Sequence, residues 1–163
     1  MASGNTLVSF FPFDNEPPAT NYATLSIRNG HPILQFNDTT QWAAIFTGVL
    51  PRNYAGGGLT VYIHATLASA ITGTLGWDVS FERISDSATD IDADSFATAQ
   101  TITAATVPGT SGIDLVSNVA VTNGANIDGI VAGDLFRLRV RRDVVNDTAV
   151  GNAQLLGVEI KET

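Results

Sequence analysis

The sequence predicts an all-β fold, an antiparallel β-sandwich of jelly-roll type with an extended N-terminal arm. Three observations carry that prediction. Apolar and polar residues alternate with period two in several segments, no segment of similar length has an apolar stripe at helical spacing, and Gly, Pro, Asn and Asp separate the alternating runs. Counting these runs gives about eight to ten strands, the pattern of a sandwich rather than of a parallel α/β sheet.

The clearest runs are Leu59 to Thr66 and Leu75 to Arg83, joined by a short turn. Successive side chains in a strand point to opposite faces, so Leu59, Val61, Ile63 and Ala65 share one face while Thr60, Tyr62, His64 and Thr66 share the other. In the second run Leu75, Trp77, Val79 and Phe81 are expected inside, with Asp78, Ser80 and Glu82 facing water.

Residues 1–20 read as an extended arm, because Pro12, Pro17 and Pro18 exclude regular helix and interrupt any long strand. Such an arm lies on a neighbouring molecule; the alternative is an edge strand around Leu7 to Phe11 followed by a loop. The remainder, 21–163, reads as one domain. Ala23 to Arg28 and His31 to Phe36 flank Asn29-Gly30, a pair that tolerates the positive φ of a tight hairpin turn. Pro32 cannot donate to a ladder and pushes the returning strand toward an edge or a bulge.

Trp42 to Leu50 reads as a strand ended by Gly48 and Pro51, and Tyr54 to Gly58 as a loop whose glycines lack the Lys and helix of a phosphate cradle. Ser85 to Ser95 is an acidic loop. Asp94-Ser95 is suited to cap a short helix through Ala99, although Thr101 to Ala104 equally suits a strand. Leu115 to Thr122 and Gly133 to Asp143 are strands, the latter with Phe136, Leu138 and Val140 inside and Arg137, Arg139 and Arg141 outside. The last strand has Leu156, Val158 and Ile160 as its inward set.

A chain of 163 residues buries about 70% of its unfolded surface as one domain. It has no Cys, so disulfides and thiolate metal sites are excluded. A formal charge of −8 argues against nucleic-acid and anionic-membrane partners, which require a basic face. No run approaches the ~20 apolar residues of a helical membrane span. The N-terminal residues lack the basic region and long apolar core of a secretory signal, so synthesis in a cytoplasm without Sec export is expected. Charged residues make up 15% of the chain, against about 25% in an average soluble domain. That deficit favours a surface partly covered in an assembly.

The residues offer little chemistry. Asp90, Asp92 and Asp94 alternate like hard-oxygen ligands, but an EF-hand loop would carry Gly and Glu where Ser95 and Thr101 stand, so the segment reads as a surface acidic loop. His31 and His64 have no zinc-type spacing, and no nucleophile elbow is present. Asp78 and Glu82 share a strand face without any mark of a sugar cleft. No catalytic residue, cofactor or metal ligand is assigned, and no enzymatic activity is expected. The outstanding surface feature is the row Arg137, Arg139 and Arg141, three like charges about 7 Å apart that repel unless acidic groups lie opposite. Glu159, Glu82 or Asp78 on neighbouring strands would serve, or else the row belongs to a subunit interface together with Phe10, Phe11 and Phe13 of the arm.

Arg28-Asn-Gly-His-Pro32, the run Leu50 to Val61, Gly76 to Val79 with Phe81 to Arg83, Asp92 to Phe96 and Gly133 to Asp143 resemble small tailed-bacteriophage jelly-roll structural proteins, of the head decoration (cement) or tail-appendage type. The resemblance implies a homotrimer on the capsid exterior, with the arm touching major capsid protein or a neighbouring trimer. The alternative it implies is a tail-fibre or baseplate module that recognises a host surface glycan. A free carbohydrate-binding sandwich is a third reading and requires exposed aromatic rings on one face, for which Tyr62 and Trp42 are the candidates.

Overall fold

The alternating runs become strands, and most of them put their apolar side into a shared interior; Leu25 and Ile27, 52% and 59% exposed, are the exception. The computed structural model describes residues 4–163, with β1 (Thr6–Phe10), β2 (Thr24–Arg28), β3 (His31–Phe36), β4 (Ala43–Val49), β5 (Leu59–Leu67), β6 (Thr74–Ile84), β7 (Gln100–Thr106), β8 (Leu115–Val121), β9 (Leu135–Arg142) and β10 (Ala153–Glu162). One sheet has the order β2-β3-β10-β5-β8, with β1 also paired to β10, and the other β4-β9-β6-β7. All pairings between these strands are antiparallel, and the two sheets form a β-sandwich of jelly-roll type.

The core lies between the sheets. Trp77, Phe81, Phe136, Leu138 and Val140 have no exposed surface, and Val158 is 2% exposed. Trp77 meets Phe36 edge to face at 5.0 Å, and Phe10 stacks on Phe46 at 5.3 Å. Asn29 and Gly30 have φ of 47° and 79°, as a hairpin turn between β2 and β3 requires. β10 pairs with β3 only at Leu34, Gln35 and Phe36, so Pro32 stands beyond that ladder.

Four expectations are corrected. Residues 6–10 are not an extended arm but the edge strand named as its alternative: β1 takes over the edge of β10 from Val158 onward, where pairing to β3 has ended at Leu155. The physical reason is the open backbone edge of β10, together with Leu7, Val8 and Phe10, which pack on the core. No helix follows Asp94; residues 94–99 carry no regular structure, with Ala97 donating its N–H to Phe81 O, and β7 begins at Gln100, so Thr101 to Ala104 is strand. Asp78, Ser80 and Glu82 do point away from the core, yet are 6%, 0% and 5% exposed, because arginines lie over them. The inward set of β10 is Leu155, Val158 and Ile160, because the register shifts between Leu155 and Gly157 and turns Leu156 outward.

Candidate functional site

The outer face of the larger sheet is a groove built by three features. Its floor comes from the outward residues of β5 and β10, where His64 pairs with Gly157, Tyr62 with Glu159 and Thr66 with Gln154. One wall is the turn after β1, Phe11-Pro12-Phe13, and the other is the segment 111–114 that leads into β8. Leu156, turned out by the bulge, separates two hollows. One, of about 340 Å³, is lined by Ser9, Phe11, His64, Asp114 and Glu159. The other, of about 490 Å³, is lined by Arg28, His31, Ile33, Thr66, Ser111 and Gly112. Both volumes fall in the range of small-ligand sites.

The first hollow pairs an aromatic surface with polar groups. Phe11 is 59% exposed, and its ring lies over Gly157, where an added Cβ would sit 3.5 Å from the ring. His64 Nδ1 and Asp114 Oδ2 are 2.8 Å apart, which fixes the imidazole across the floor. Glu159 accepts a hydrogen bond from the Thr6 hydroxyl. An aromatic face beside oriented donors and acceptors suits a polyhydroxylated ring: carbon-bound hydrogens pack on the aromatic ring and hydroxyls bond to the polar groups.

The aromatic platform is not the one expected. Tyr62 is on the outer face, but the Lys161 ammonium lies over its ring at 5.4 Å. Trp42 is partly buried against the core. Phe11 and Phe13, 59% and 69% exposed, supply the open rings, whereas Phe10 is 4% exposed and lies in the chain's own interior. Phe11 was legible as an exposed aromatic only through its position after a strand and before Pro12. Its place over Gly157 depends on the β1–β10 pairing, which no local pattern reveals.

The arginine row lies on the opposite sheet, away from the groove. Arg137 donates to Glu82 Oε2 at 2.9 Å, Arg141 grips both oxygens of Asp78 at 2.8 and 3.1 Å, and Arg139 donates to Ser80 Oγ at 3.0 Å. Two of the three anticipated acids therefore stand opposite; Glu159 is in the other sheet. Arg137 and Arg139 both stack on Phe96, at 5.4 and 4.6 Å. Burial, and secondarily the Arg141 charge, lower the affinity of Arg139 for its proton. Asp90, Asp92 and Asp94 stay together in the loop after β6, and among the described residues no cluster of three or more possible ligands suits a metal ion.

No protein-family model matches this chain, and no curated protein does. Among solved structures, the carbohydrate binding module CBM6cm-2 from Cellvibrio mixtus lichenase 5A, in complex with cellotriose, is similar over 98% of this chain and 99% of its own, at 11% identity and a TM-score of 0.50. CBM35 from Cellvibrio japonicus Abf62 covers 94% and 92% at 7% identity and a TM-score of 0.49. The CBM22-2 xylan-binding domain from Paenibacillus barcinonensis Xyn10C covers 92% of both chains at 13% identity and a TM-score of 0.49. At 11% identity and a TM-score of 0.50, the likeness to CBM6cm-2 concerns the fold alone and agrees with the jelly-roll sandwich that the two sheets form.

The likeness to CBM6cm-2 corrects the reading as a capsid decoration protein. That reading stood on the low charge, the proline-broken N-terminal segment, the lack of catalytic motifs and the resemblance to phage structural proteins, whereas the fold aligns end to end with a carbohydrate-binding module.

Proposed function

We propose that this chain is a carbohydrate-binding module that holds an oligosaccharide in the groove on the outer face of the β2-β3-β10-β5-β8 sheet. The observation that carries the reading is the exposed Phe11 ring over Gly157, beside the His64–Asp114 pair and Glu159. The end-to-end likeness to a module bound to cellotriose supports it. It keeps the glycan recognition of the tail-appendage alternative without the virion context.

Binding follows from surface chemistry. A sugar ring set on Phe11 removes apolar area from water, and its hydroxyls exchange water for His64, Asp114 and Glu159 at little net cost. The groove is open along its length, and its two hollows meet at Leu156, which suits a chain of several sugars rather than a single one.

Isothermal titration against neutral β-linked oligosaccharides, beginning with cellotriose and a xylotriose, tests the reading. Saturable heat that increases in affinity with chain length is expected from at least one series. No binding to any neutral or acidic oligosaccharide at millimolar concentration would overturn it.

A further inference from the structure

We propose that the Arg28 end of the groove is a subsite for the carboxylate of an acidic sugar, a uronate residue within the bound glycan. This rests on the glycan-binding reading of the groove and specifies the class of glycan.

Arg28 is held as a preformed cation. Its Nη1 donates to Leu67 O and to Gln154 Oε1, both at 2.7 Å, and both acceptors are neutral. Among the described residues no carboxylate forms an ion pair with it. Gly112 has φ +91°, and a Cβ there would come within 2.9 Å of Arg28 Nη2, so the glycine lets the loop backbone lie on the guanidinium. The guanidinium's other two nitrogens, Nε and Nη2, make no hydrogen bond to the described residues, and together they form the planar fork that matches a carboxylate.

A second observation points into the same hollow. Thr66 lines it, is 2% exposed, and its hydroxyl has no hydrogen-bond partner. A buried hydroxyl without a partner costs stability, and a ligand oxygen would relieve that cost. His31 and Ser111 line the hollow as well.

The groove is also electrically lopsided. The carboxylates Asp114 and Glu159 line the Phe11 hollow, whereas the Arg28 guanidinium lines the other, and each hollow carries one histidine, His64 and His31 respectively. In a chain of net charge −8, an anionic group is repelled from the first end and attracted to the second. The charge therefore fixes both the acidic residue's position and the direction in which the glycan lies.

The test is a titration of trigalacturonate against its methyl ester, the same sugars without the charge, alongside the neutral oligosaccharides. The wild-type protein is expected to bind the free acid about tenfold or more tightly than the ester. R28Q should abolish that preference, and R28K should weaken it, because lysine keeps the charge but loses the fork. T66V should lower affinity for the acid more than affinity for the ester or the neutral oligosaccharides. Acid and ester bound equally by the wild type, or a preference that survives in R28Q, would overturn the subsite while leaving the groove reading in place. Failure of every neutral and acidic oligosaccharide to bind would overturn both. The comparison of acid with ester in the wild type holds even if a variant fails to fold.

Discussion

Gly157 of β10 stands opposite His64 of β5, one position after the bulge that turns Leu155 inward and Leu156 outward. This pairing makes the groove. Gly157 leaves the floor open beneath the Phe11 ring, which a Cβ built there would meet at 3.5 Å, and without the bulge Leu156 would enter the core. The inserted residue therefore clears the floor beneath Phe11 and raises a divider between the two hollows.

Phe11→Ala is expected to weaken oligosaccharide affinity by about 1 kcal/mol, roughly fivefold, through loss of ring packing. Phe11 is largely exposed, so the melting temperature should stay within about a degree or two. Calorimetric titration and thermal unfolding read the two effects separately; unchanged affinity would remove Phe11 from the site.

Trp77→Ala should cost about 3 to 5 kcal/mol by leaving a cavity against Phe36. Urea unfolding measures it, and a loss below about 1 kcal/mol would contradict the buried, edge-to-face packing of that ring.

Gly30→Val should be far more destabilising than Gly30→Asn. Nothing lies within 4 Å of a Cβ at this position, so the difference isolates backbone strain at φ +79°. Equal unfolding midpoints for the two variants would contradict the turn geometry.

Arg142→Met should cost about 3 to 5 kcal/mol, because it strands a buried carboxylate. Arg142 and Asp147 are 0% and 3% exposed and pair at 2.6 Å, and the guanidinium also donates to Gly151 O and Ala149 O. The double variant R142M/D147L should recover part of the loss in the same denaturation assay; a double variant as unstable as the single one would show that the stranded charge is not the cause.

The strands and their faces were legible because period-two alternation is a local signal. Trp77, Phe136 and Leu138 follow from it directly, and so does the Asn29-Gly30 turn. Parity along β9 even places Arg142 with Phe136, Leu138 and Val140, although it cannot supply Asp147 as the partner inside. The bulge at Leu156 was not legible: one inserted residue shifts the face of its neighbours, and nothing in the run Leu155-Leu156-Gly157 says which leucine goes in. The groove was hidden for a related reason. Phe11, His64, Asp114 and Arg28 are far apart in sequence and meet only through the order β2-β3-β10-β5-β8 and the pairing of β1.

The central claim is that the outer face of this sheet holds a glycan. Its most direct test is a two-dimensional amide NMR titration of the ¹⁵N-labelled protein with the best-binding oligosaccharide. The account predicts shifts that cluster at Phe11, His64, Asp114, Leu156, Gly157 and Glu159, with the face carrying Arg137, Arg139 and Arg141 unmoved. Shifts confined to that opposite face, or none at saturating sugar, would contradict it.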